Sequence, residues 1–141
     1  MKTIGVIDGQ GGGIGSTIIK HLCDLGNDTI QIIALGTNAI ATTQMLKAGA
    51  NRGASGENAI VQTVQRVDVI IGPVSIISAN AMLGEITPKI AEAVASSPAP
   101  KYLLPLSQEN IEIVGVSIQP LPHLIQTLIK KSLKDYLAET Q

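Results

Sequence analysis

Phenylalanine and tryptophan are absent, and tyrosine occurs only at positions 102 and 136 of the 141 residues. Proteins that hold single-stranded nucleic acid stack its bases on aromatic side chains over a positive groove. This chain offers no such platform. It carries 10 Lys plus Arg against 11 Asp plus Glu, a formal net charge of −1, so no nucleic-acid partner is expected. The basic cluster Lys130, Lys131 and Lys134 reads as the solvated face of a terminal helix, where cations suit the helix dipole.

Cys23 is the only cysteine, which leaves no intramolecular disulfide and no Cys-rich zinc site. No apolar run approaches the roughly 18 residues of a membrane span, so no membrane partner is expected. The opening MKTIGVID enters a strand at once, without the apolar stretch of a signal peptide. A cytoplasmic location is the expectation. Charge is also scarce: 15% of residues are charged, against roughly 25% in typical soluble domains. Two readings stay open, a surface partly hidden in a homo-oligomer or a monomer clothed in Ala, Thr and Gln.

What the chain does have is aliphatic. Isoleucine alone supplies 21 residues of a 45% apolar composition, enough for one domain over 1–141 with a real core and too much for disorder. Thr3 to Ile7 reads as a buried strand, then a glycine cluster, then a helix over Ile14 to Leu25. Ile14, Ile18, Leu22 and Leu25 share about 80° of arc at helical spacing, and Gly26, Asn27 and Asp28 end the helix. Thr29 to Leu35 is a second strand. Thr37 or Asn38 caps a helix over Ala39 to Ala48, closed by Gly49.

A short strand is expected near Ala50 to Ala54, with Ser55 capping a helix to Arg66. Val67 to Ile71 is a buried strand ended by Gly72-Pro73, and Ser75 to Gly84 is expected to be helical. Thr87-Pro88 supplies a cap and first-turn proline for a helix to Ser96. Tyr102 to Leu106 is a strand whose Pro105 argues for a sheet edge. SQEN (107–110) as a turn and Ile111 to Val116 as a strand suggest a C-terminal β-hairpin, and Pro120 and Pro122 introduce a last helix over Leu121 to Leu137. Strands apolar on both faces alternating with helices predict a three-layer α/β/α sandwich, Rossmann-like, with a mostly parallel sheet.

The strongest chemical signal is DGQGGGIG, Asp8 to Gly15, between the first strand and the first helix. Glycines let the backbone approach an anion closely, and the following helix aims unpaired N–H groups and its positive dipole end at that point. Asp8, Gly9, Gln10, Gly11, Gly12, Gly13, Ile14 and Gly15 are therefore the candidate phosphate-binding residues. Gly36, Thr37 and Asn38 would lie near a ribose, and Gly72 and Pro73 would border the pocket. The alternative is a tight turn that needs glycine only for packing.

The spacing GxxxGxG through Gly9, Gly13 and Gly15 resembles the cofactor loop of short-chain dehydrogenases and reductases, which implies NAD(P) or another nucleotide. The resemblance stops there. Gly36-Thr37-Asn38 stands where NAD-preferring relatives carry an acid, and Tyr102 and Tyr136 are followed four places on by Leu106 and Thr140 rather than lysine. The first strand's glycine run and LGTNA also resemble the nucleotide half of tubulin-type GTPases, without their GGGTGTG-type phosphate loop. Over nearly its whole length, the chain resembles a family of small uncharacterised bacterial proteins. The likeness is carried by IDGQGGGIG, IIALGTNA, IIGP, AMLGEITP, and IEIVGV followed by PLPHL. It implies a fold and supplies no mechanism.

Other candidates are isolated residues. His123 near a helix start has an imidazole suited to acid–base work, and Glu85 in a loop is its possible partner. His21 lies beside the apolar stripe of the first helix. Asp8 could hold Mg²⁺ beside phosphates or accept hydrogen bonds from the loop amides. Cys23 reads as a boundary residue, and Arg52 either reaches an anion across the strand ends or is a surface arginine. Three functions follow: a nucleotide- or dinucleotide-binding module, a small-metabolite enzyme using His123 or Asp8 with Glu85, or a non-catalytic homo-oligomeric assembly protein.

Overall fold

Strict alternation of aliphatic side chains decides the architecture. In β1 (Lys2–Asp8), Ile4 and Val6 join one buried cluster and Ile7 the other. β2 (Ile30–Gly36) repeats this, Ile32 and Ala34 against Ile33 and Leu35, and so does β4 (Val69–Pro73), Val69 and Ile71 against Ile70. A strand apolar on both faces needs a cover on each. The computed structural model describes residues 1–26, 28–106 and 110–139 and provides both covers. One face packs on α1 (Gly13–Asp24), α2 (Ala39–Lys47) and the C-terminal helical segment, the other on α3 (Glu57–Thr63) and α4 (Pro88–Ser96).

Two short strands complete the sheet, β3 (Arg52–Ser55) and β5 (Lys101–Leu104). The order is β3-β2-β1-β4-β5 and every pairing is parallel. From β1 the chain winds outward through β2 to β3, then returns to the other side of β1 as β4. That reversal makes the carboxyl ends of β1 and β4 a topological switch point, where open α/β sheets bind ligands. Pro105 follows β5 at the sheet edge, as its missing N–H requires.

Several local expectations meet corrections. Ser75 to Gly84 is not an α-helix: a 3₁₀ turn spans Val74–Ile77, and the chain then coils tightly, with the Asn80 amide donating to the Ile86 carbonyl at 2.6 Å and Ile86 to Ala81 at 3.1 Å. Ala81 and Ile86 reach the core this way, while Leu83 is 92% exposed. The predicted hairpin has no second strand among the described residues. Ile111 makes an isolated bridge, Gly115 turns at φ +88°, and 110–118 are exposed, so the β-branched residues there have no paired strand among the described residues. Of the turn expected over 107–110, residues 107–109 lie outside the described residues, as does Asn27 of the expected Gly26-Asn27-Asp28 helix stop.

Gly56 rather than Ser55 precedes α3, and Ser55 instead donates its hydroxyl to Thr42 Oγ1 at 2.7 Å. The last helix is α5 (Leu121–Thr127), a π turn over Leu128–Ser132, and α6 (Leu133–Glu139). The wider π turn keeps Leu128 and Leu133, five positions apart, buried on one face. No helix among the described residues is long and apolar enough to cross a membrane.

Candidate functional site

The carboxyl end of β1 runs straight into the glycine loop. Asp8, only 3% exposed, turns its carboxylate under the loop: Oδ1 accepts from the Gly9 amide at 2.8 Å and Oδ2 from the Gly15 amide at 2.7 Å. Burial pushes this carboxyl above the usual range. Amides of Gly15, Gly9 and Ile14 oppose the rise without cancelling it, and the charge of Glu85 adds to it. Both oxygens of Asp8 thus serve the loop's own backbone, the second of the two roles its sequence position allowed.

The glycines divide by environment. Gly12 precedes α1 at φ +74°, and a Cβ there would stand 2.8 Å from the Ala41 carbonyl oxygen. Gly15 lies against Met45, and Gly9 against Thr37, Met82 and Glu85. These three are needed for close approach within the protein. Gly11 and Gly13 are different: a Cβ on either would meet nothing within 4 Å, and their amides donate to no acceptor among the described residues. They face a cavity of about 440 Å³, lined by Asp8 to Ile14 together with Ser75, Met82 and Leu83. That volume suits a small-molecule ligand.

Ser75, in the first turn after β4, is fully buried, and its hydroxyl has no hydrogen-bond partner among the described residues. A buried hydroxyl without a partner forfeits about 1–3 kcal/mol. Sequence reading missed it, because a serine after a strand carries no distinguishing signal. Gly72 and Pro73, the sequence candidates nearby, end β4 without lining the cavity. Gly72 instead allows the Ile7 carbonyl to approach, since a Cβ would stand 2.6 Å from that oxygen.

The end of β2 meets Glu85. Its Oε1 accepts from the Thr37 hydroxyl at 2.6 Å, the Gln10 amide at 2.8 Å and Asn38 Nδ2 at 2.9 Å. Asn38 also caps α2, its Oδ1 accepting from the Ala41 amide at 2.8 Å. Gly36 is packed against Thr42. Burial alone would raise the Glu85 carboxyl, but the Thr37, Gln10 and Asn38 donors outweigh it and hold the group below its ordinary value of 4.5. A lowered folded value makes this contribution complete above the ordinary value and lost as pH falls through the folded one. The wild type should therefore exceed Glu85→Gln by roughly 1 kcal/mol at neutral pH, a margin that closes below pH ~4. Asp8, raised rather than lowered, titrates with the opposite sign. Melting curves of the two proteins from pH 7 to 3 check this, and a margin that widens on acidification would refute it.

The remaining candidates stand apart. His123 is exposed in the first turn of α5, and no hydrogen bond among the described residues links it to Glu85 or the loop. His21 Nδ1 pairs with the Thr17 carbonyl at 2.9 Å on α1. Arg52 begins β3 opposite Ile33, level with Gly5 in the middle of β1, and lines a groove with Thr3 and Val67 that shares no lining residue with the cavity at the glycine loop. Cys23 is exposed, with Sγ 3.6 Å from the Gly49 carbonyl; partial burial and then Asp24 push its thiol up, the wrong direction for a nucleophile. Among the described residues, no three His, Cys, Asp or Glu side chains cluster as metal ligands.

A parallel sheet reversing at β1, with a glycine loop and a cavity at that strand's carboxyl end, defines a Rossmann-like α/β domain. A family model described as a domain of unknown function (DUF3842) matches residues 3–137, and the chain belongs to that family. A search of curated proteins finds no match. Among solved structures, the chain is similar to apo histidine-tagged saccharopine dehydrogenase (L-Glu forming) from Saccharomyces cerevisiae. The TM-score is 0.50 at 14% identity, over 91% of this chain and 24% of that one. The chain spans about a quarter of that enzyme's length, and the likeness is one of fold.

Proposed function

We propose that the protein binds a nucleotide or dinucleotide, NAD(P) among the candidates, with phosphate at the Gly9–Gly15 loop. The observation that carries this reading is the buried, unpartnered Ser75 hydroxyl on the wall of the cavity that the loop lines. A turn that used glycine for packing alone would give no reason for Gly11 and Gly13 to face open space, nor for an unpaired hydroxyl in the lining of the same cavity. Two free amides, the positive end of α1 and one hydroxyl form a donor set suited to a phosphate oxygen. No lysine or arginine lines the cavity, so backbone and hydroxyl carry the recognition.

The test is thermal melting with NAD(H), NADP(H), ATP, GTP and nucleoside monophosphates at millimolar concentration, since a ligand of the folded state raises the melting temperature. Ser75→Ala separates the hydroxyl's two roles. Without ligand it should match the wild type or exceed it by up to about 1 kcal/mol, because an unpaired buried group is removed. With ligand its affinity should fall roughly three- to tenfold. No shift of the wild type with any of these compounds would overturn the reading.

A further inference from the structure

We infer that Glu85 reads an unphosphorylated ribose diol of the bound nucleotide, which makes the ligand a dinucleotide of the NAD rather than the NADP type. This rests on the reading above and adds a specificity-determining residue to it. In nicotinamide-binding Rossmann domains, an acid at the end of the second strand accepts hydrogen bonds from the ribose hydroxyls. Here that strand ends in Gly36-Thr37-Asn38 and has no acid of its own. The carboxylate arrives instead from the connection between β4 and α4: Glu85 Oε1 is held by Thr37, Asn38 and the loop amide of Gln10. The structure therefore places a negative acceptor between the glycine loop and the end of β2, where a ribose attached to loop-bound phosphate would lie.

The remaining oxygen, Oε2, takes no hydrogen bond from the described residues and is left to accept from a diol. The backbone that delivers Glu85 supports a fixed role. Asn80, Met82 and Leu83 all adopt positive φ, 69°, 58° and 57°, a conformation that residues with side chains seldom take. A carboxylate in this position attracts hydroxyl donors and repels a 2′-phosphate. No cation among the residues lining the cavity offsets that repulsion, and Arg52 lines a separate groove, three register positions before Gly36. With Asp8 also beneath the loop, a bridging pyrophosphate, carrying one charge per phosphate, suits the site better than a doubly charged terminal phosphate.

Calorimetric titration of the wild type and Glu85→Gln with NAD⁺ and NADP⁺ tests this. The wild type should bind NAD⁺ about tenfold or more tightly than NADP⁺, from like-charge repulsion alone. The variant should lose roughly tenfold in NAD⁺ affinity, and its NAD⁺/NADP⁺ ratio should fall toward one. The wild-type preference is readable whether or not the variant folds. Equal binding of both cofactors by the wild type overturns the inference while leaving the proposed function standing, as does an unchanged ratio in a folded variant. Tighter NAD⁺ binding by the variant would make Glu85 a plug rather than a reader, and also overturns it. If the wild type binds neither cofactor nor any other nucleotide, the proposed function fails and the inference with it.

Discussion

Gly12→Ala should lower stability by about 3 kcal/mol, the largest loss expected from any single methyl group added to the loop. Two costs combine. At φ +74°, an L-residue is strained by roughly 1–2 kcal/mol. The new Cβ would also stand 2.8 Å from the Ala41 carbonyl oxygen and 2.9 Å from the Ala41 Cα. Those are backbone atoms of α2, so no side-chain rotation relieves the clash and the contact between α1 and α2 must open. Gly13→Ala, one residue on, is the control. Its Cβ enters open space, and alanine is the better helix former, so stability should hold within about 0.5 kcal/mol while nucleotide affinity falls. Urea denaturation of both variants at constant m-value reads the difference. A Gly12→Ala cost below about 1 kcal/mol would mean the loop relaxes freely, and the close-packing account of Gly12 would be wrong.

The contrast between these neighbours marks where sequence reading stops. The order of strands and helices is legible because Ile, Val and Leu alternate onto both faces of β1, β2 and β4. The caps at Asn38 and Thr87 are legible because each side chain bonds an amide three residues on. Pro105 marked the edge for the same local reason. What escapes is whatever depends on contacts remote in sequence. Gly12 and Gly13 are equivalent letters until α2 is packed against one of them.

Glu85 illustrates the same limit. Residue chemistry alone paired it with His123, whereas its donors lie at Gln10, Thr37 and Asn38, 75, 48 and 47 positions away. Ser75 to Gly84 reads as a helix from the sequence, yet the chain coils instead to bury Ala81 and Ile86 and to carry Glu85 over the loop. Ile111 to Val116 reads as a strand because β-branched residues dominate it, but a strand also needs a partner and a face to bury. Ile113 and Val114 remain 39% and 91% exposed.

Ile71→Ala should cost about 3–4 kcal/mol, within the range for deleting a large aliphatic side chain from a closed core. Ile71 is fully buried at the centre of β4, paired with Val6 of β1 on one side and Tyr102 of β5 on the other. It belongs to the cluster that joins the sheet to α1 and the C-terminal helix, so both the lost transfer energy and an unfilled cavity count against the variant. Leu83→Ala removes as much hydrocarbon from a residue 92% exposed and should change stability by less than about 0.5 kcal/mol. Denaturant titration of the pair checks the contrast, and similar costs would refute the assignment of the core. The consequence reaches the site, because its two walls hang from the strands that Ile71 helps hold together. The loop leaves β1 two residues past Val6, and Ser75 follows β4 four residues past Ile71. Loss of this contact should therefore weaken the proposed nucleotide binding as well as stability. At the proposed nucleotide site, Ser75→Ala should weaken binding at no cost to the fold, and that difference would separate a residue proposed to touch the ligand from one that only holds its walls in register.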